Sequence, residues 1–126
     1  MLKDIETELK NRSVAVSDAI IAVDFDGTLC DEDFPSIGDP HLSLINDLIN
    51  LQSRGSKLIL WTCREGNRLH EAVEWCRNYG LIFDAINENA IKTEGIYEFL
   101  ALRKIYATVY IDDRAISYKR DIVTHV

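Results

Sequence analysis

Cysteine is scarce. Cys30, Cys63 and Cys76 are the three in 126 residues, an odd number with no Cys-x-x-Cys spacing. A disulfide framework and a thiolate zinc site are therefore not expected, and the thiols read as packed, reduced side chains. Basic residues are also in deficit, 14 against 21 acidic, for a formal charge of −7. A general nucleic-acid-binding surface needs clustered Lys and Arg against phosphates, so that class is disfavoured. No apolar run approaches the roughly 20 residues of a membrane span, so no membrane partner is expected. The segment Met1–Glu6 lacks the basic-then-apolar layout of a secretory leader. There is no repeat, low-complexity tract or linker. What is there, 47% apolar and 28% charged residues, describes one soluble domain over residues 1–126, expected in the cytoplasm.

Short apolar runs alternate with helical patterns. Ala19–Val23 is nearly unbroken apolar, as in a strand buried on both faces. After a Gly- and Asp-containing loop, Asp39-Pro40 reads as N-cap and first helical position, Leu42, Ile45, Leu48 and Ile49 as one face, and Gly55 as terminator. Leu58–Trp61 is a second strand. Leu69, Ala72, Val73 and Cys76 mark another helix, ending at Tyr79-Gly80. A third strand is expected within Leu81–Ile86, a helix carrying Ile96, Phe99 and Leu100, and a fourth strand at Thr108–Ile111. Residues 1–12 predict an amphipathic helix through Leu2, Ile5 and Leu9, and the tail from Ala115 is either an edge strand or a helix. Strands alternating with helices imply right-handed βαβ crossovers and a mostly parallel sheet: an α/β, three-layer, Rossmann-like sandwich.

In such a sheet the ligand crevice opens at the carboxyl ends of the strands. There the sequence puts Asp24-Phe25-Asp26-Gly27-Thr28, then Thr62-Cys63-Arg64, then Asn87-Glu88-Asn89, then Asp112-Asp113-Arg114. Any one of these acids is ordinary as a cap or turn former. Four converging on one edge repel one another, and a hard divalent cation with oxygen ligands, Mg²⁺, resolves the conflict. Asp24 is the most telling, because a carboxylate at the end of an apolar strand is costly unless paired or metal-bound.

Asp24-Phe25-Asp26-Gly27-Thr28 after an apolar strand resembles the first motif of the haloacid dehalogenase superfamily, DxDGT. Thr62 is similar to its second motif, and Ile111-Asp112-Asp113 to its acidic fourth. Lys104, eight residues before Asp112, suits the third-motif lysine, with Lys92 the competing candidate. The resemblance implies that Asp24 is a nucleophile forming an aspartyl-phosphate, and Asp26 the general acid and base. It implies a main-chain carbonyl of Asp26 and the Asp24 carboxylate on the metal, with Asp112 and Asp113 holding it, one directly and the other directly or through water. Gly27 and Thr28 would approach the phosphoryl group, Thr62 would hydrogen-bond a phosphoryl oxygen, and Lys104 would neutralise its charge.

Arg64 and Arg114 read equally as contacts to the substrate or as ion-pair residues. Cys63 reads as a packed thiol, Trp61 and Trp75 as core, His70 as solvated, and Asp31-Glu32-Asp33 as a solvated loop; His41, His70 and His125 have no metal-ligand spacing. Residues 30–40 leave room for a short flap and Asn87–Lys104 for a loop and one helix, so no cap domain is expected. The fifth core strand of the superfamily is expected to be absent or a remnant around Ile122-Val123. Such an open site admits a phosphorylated small molecule or an exposed phosphoester, a phosphorylated nucleic-acid end included, unless a homo-oligomer covers it. Ile111–Arg114 is also similar to the 5'(3')-deoxyribonucleotidase branch, which makes nucleotides one substrate class. The alternatives are a receiver domain, a carbon–halogen hydrolase and a catalytically idle binding module. A receiver would carry its phospho-accepting Asp after the third strand, where this chain has Asn87-Glu88-Asn89.

Overall fold

Ile20–Val23 forms β1, and all four of its residues are buried, as the unbroken apolar run requires of a strand covered on both faces. The computed structural model describes residues 1–88 and 107–112, together with the backbone of 116–118. In chain order the described elements are α1 (Leu2–Asn11), a 3-10 turn (Val16–Asp18), β1, α2 (Leu42–Ser53), β2 (Lys57–Leu60), α3 (Gly66–Asn78), β3 (Ala85–Ile86), β4 (Val109–Ile111) and β5 (Ile116–Tyr118). The sheet order is β3-β2-β1-β4-β5. The first four strands run parallel, and β5 pairs antiparallel with β4. The tail thus begins with an edge strand; Ile122-Val123 lies outside the described residues.

The order reverses at the β1–β4 pair: the chain winds outward through β2 and β3, then returns to the other side of β1. That seam is the topological switch point, where α/β sheets open a crevice beyond the strand ends. In register, Val23 pairs with Ile111, so Asp24 and Asp112 leave adjacent strands side by side.

On one face, Ile21, Val23, Leu58, Leu60, Val109 and Ile111 pack with inward residues of all three described helices. Ile5 and Leu9 represent α1, and Ala72 and Cys76 represent α3. The other face, with Ile20, Ala22, Ile59 and Tyr110, is buried too. The α/β, Rossmann-like layering expected from the sequence is therefore present. The helix expected around Ile96, Phe99 and Leu100 lies outside the described residues.

Three local expectations are corrected. Helix α2 starts at Leu42, not Pro40. Pro40 is held in an antiparallel bridge with Cys30, flanked by Asp31 N–H to Asp39 O and His41 N–H to Leu29 O, both 2.9 Å. This small ladder keeps Asp39-Pro40 extended. The buried face of α2 is Leu44, Ile45, Leu48 and Leu51, while Leu42 in the first turn is 50% exposed. The third strand shrinks to Ala85–Ile86, because Asp84 satisfies β2 with its side chain: Oδ2 accepts the Leu58 N–H at 2.7 Å while the Asp84 N–H donates to Leu58 O at 2.8 Å. Gly55 does end α2, just past Arg54, at φ +105, a left-handed conformation that glycine adopts without strain.

Candidate active site

The turn after β1 is built around a buried aromatic. Phe25 is fully buried and meets Trp75 of α3 edge-to-face, ring centroids 5.5 Å apart. Asp24 and Asp26 flank this plug, and both are half-buried. Asp24 keeps a backbone hydrogen bond to Ile111 O at 3.0 Å, so the nucleophile candidate is carried on the sheet rather than on a loop. Beyond it the chain reverses: the Thr28 and Leu29 N–H groups both donate to Phe25 O, and Gly27 sits at φ +81. A side chain at Gly27 is strained at that angle.

Thr28, expected to face substrate, is instead buried. Its hydroxyl donates to Asp24 Oδ2 at 3.4 Å, and its carbonyl accepts from His41 Nδ1 at 2.7 Å. In the sequence His41 carries no signal beyond its lack of metal-ligand spacing. Its Nε2 also lies 2.7 Å from Asp31 Oδ1, so both ring nitrogens face acceptors. The Asp31 hydrogen bond, then the Thr28 carbonyl, raises the imidazole pKa above its ordinary value.

Asp26 is held by Arg64. The guanidinium donates from Nε to Oδ2 at 2.9 Å and from Nη2 to Oδ1 at 2.7 Å, a two-pronged, charge-assisted pair. The same group donates to Pro35 O at 3.1 Å and Ser36 O at 2.9 Å. It lies 5.0 Å from the Phe25 ring centroid and 5.1 Å from that of Phe34. The Arg64 side chain is 1% exposed, against 18% for Asp26. Of the two roles the sequence left open, the ion-pair role is the one seen here, with Arg64 on Asp26. The Asp26 hydrogen bond holds the guanidinium pKa above its already high value.

Thr62 lies two residues beyond the end of β2. Its N–H donates to Asn87 Oδ1 at 2.8 Å, and its Oγ1 accepts the Arg64 N–H at 3.1 Å, which leaves the hydroxyl proton to be donated elsewhere. Asn87, at φ +53 beyond β3, thus fixes the Thr62 loop. Asn at the end of a strand is the available sequence signal, because Asn tolerates the left-handed region better than most side chains. Cys63, expected to be packed, is exposed, whereas Cys30 and Cys76 are buried and free. Burial pushes the Cys76 thiol up to about 12 and raises Cys30 as well.

Asp112 follows β4 and is exposed. Lys92, Lys104, Asp113 and Arg114 lie outside the described residues. Among the described residues, no three His, Cys, Asp or Glu side chains group as a metal site. The geometry explains this in part, because the Asp26 carboxylate is turned to Arg64. That leaves its main-chain carbonyl, the atom expected to face a cation. Asp24 and Asp112 at adjacent strand ends, and that carbonyl, are oxygen donors of the kind that Mg²⁺ takes. No described helix is long and apolar enough to cross a membrane.

No protein-family model and no curated protein matches the sequence. Among solved structures, a conserved protein encoded by a Bacteroides thetaiotaomicron locus is similar: 40% identical, covering 82% of each chain, with a TM-score of 0.66. The chain belongs to that protein's family. The relationship carries the fold without naming a reaction.

Proposed function

We propose that this chain is a capless phosphomonoester hydrolase of the haloacid dehalogenase type, dependent on Mg²⁺ and working through an aspartyl-phosphate on Asp24. The observation that carries the reading is the Asp24-Phe25-Asp26-Gly27-Thr28 turn at the β1–β4 switch point, with Asp112 leaving the neighbouring strand. Asp24 attacks phosphorus in line; its oxygen bonds to phosphorus while the bond to the leaving oxygen breaks. Thr62 donates its hydroxyl proton to a phosphoryl oxygen, and Lys104 neutralises charge on the same group. Asp26, turned off Arg64 and carrying a proton taken from solvent, protonates the leaving oxygen and then takes a proton from the water that cleaves the aspartyl-phosphate. Asp24, Asp112, Asp113 and the Asp26 carbonyl would hold Mg²⁺, which would supply charge neutralisation at the phosphoryl group. A receiver-like role is less well supported, since Asn87-Glu88 stand beyond β3 where that class needs its phospho-acceptor.

The test is phosphate release from sugar phosphates, nucleotides, phosphopeptides, nucleic-acid ends and an aryl phosphate, with Mg²⁺ and with chelator. Asp24→Asn keeps the side chain's shape and removes the nucleophile, so release falls at least about 10³-fold. Wild-type protein that binds Mg²⁺ but releases nothing from any class would replace this reading with an idle binding module.

A further inference from the structure

Among the described contacts, the loop 31–39 reaches Asp26 through one side chain, that of Arg64. Four of the five N–H donors of Arg64 are used, two on Asp26 and two on the carbonyls of Pro35 and Ser36. The Phe34 ring lies against the same guanidinium and 5.6 Å from that of Arg68 on α3. Meanwhile the loop is closed at its base by one backbone hydrogen bond, Asp31 N–H to Asp39 O, by the Cys30–Pro40 bridge, and by the Asp31 carboxylate on His41 Nε2 at 2.7 Å. Residues 31–36 are all exposed, and the segment's apolar anchor is Ile37, which packs against the core beyond the part that Arg64 holds.

We propose that Arg64 is a positioning residue that latches the 31–39 flap to Asp26, so that the flap and the Asp26 carboxylate change position together. A guanidinium is planar and its donors are fixed in one fork, so it cannot swing to follow one partner and keep good geometry to the other. Rotating the Asp26 carboxylate toward a leaving-group oxygen breaks at least one prong of the pair. The freed guanidinium then loses the fixed position from which it holds Pro35 and Ser36. Conversely, a substrate whose organic part lifts Phe34 and Pro35 loosens the hold on Asp26. Access to the site and the orientation of its second carboxylate become one event. This rests on the phosphatase reading for its use in catalysis, but the mechanical coupling does not.

The test is amide hydrogen exchange on the full chain without substrate, comparing wild type with Asp26→Asn and Arg64→Lys. Asp26 lies outside the flap, and asparagine preserves its size while offering one acceptor oxygen instead of two. The expected result is exchange at the Asp31 and Phe34 amides at least about tenfold faster in Asp26→Asn, with amides of Leu48 and Ile59 unchanged. Unchanged flap exchange in Asp26→Asn overturns the latch, and so does acceleration spread equally over the core amides, which reports general destabilisation. Arg64→Lys is expected to act the same way; should it fail to fold, Asp26→Asn alone decides. Coupled exchange in a protein that releases no phosphate sustains the latch while the phosphatase reading fails. Phosphate release with uncoupled exchange does the reverse.

Discussion

Asp84→Ala probes the device that replaces half of β3. Asp84 Oδ2 accepts the Leu58 N–H at 2.7 Å and the Gln52 side-chain amide at 3.2 Å. Leu58 is fully buried in the second strand of the sheet. Alanine removes the acceptor and leaves that N–H without a partner, a loss of about 2–3 kcal/mol for a hydrogen bond to a charged group. For a chain of 126 residues, each kcal/mol moves Tm by about 3–5 °C, so the midpoint falls by about 6–15 °C. Asp84→Asn keeps an acceptor oxygen and gives up the charge, and costs about 1 kcal/mol. Urea unfolding followed through Trp61 and Trp75 fluorescence, with an unchanged m value, measures both variants. Alanine within 0.5 kcal/mol of wild type (about the error of such comparisons) means that water replaces the carboxylate on this open edge. Asparagine as costly as alanine means that charge, not the acceptor, is what matters. Either result refutes the reasoning.

His41 carries a raised pKa, so its contribution to stability is full below the unfolded value of about 6.5 and is lost as pH climbs through the higher folded value. Wild type should therefore exceed His41→Gln in urea midpoint at pH 5.5 by more than at pH 8.5, and a difference that is flat or reversed between those values contradicts the double contact to Thr28 and Asp31. Of the three thiols, Cys63 alone is exposed, while Cys30 and Cys76 are buried with raised pKa values. Native protein at pH 8 should react with one equivalent of an aromatic disulfide reagent and unfolded protein with three; fast reaction of a second native thiol would show that the core opens.

Much of this molecule follows from local sequence. The apolar run Ala19–Val23 specifies a strand covered on both sides, because any polar position there would have lost its water without a partner. The 3.6-residue spacing of Leu69, Ala72, Val73 and Cys76 specifies α3, and Gly55 and Gly80, at φ +105 and +85, mark helix ends. Strand–helix alternation puts Asp24, Thr62 and Asp112 at one edge of a parallel sheet, since successive parallel strands all end on the same side. What the tertiary structure alone decided is what those side chains hold. Arg64 on Asp26, Asn87 on Thr62, and His41 between Thr28 and Asp31 join residues 38, 25, 13 and 10 positions apart. Two of those links, and both flap contacts of Arg64, involve backbone atoms, which every residue possesses and no residue type advertises. The same applies to β3, where an aspartate carboxylate stands in for a strand's own hydrogen bonds. Periodicity reports which residues are buried; partner choice depends on distances that exist only after the sheet has closed.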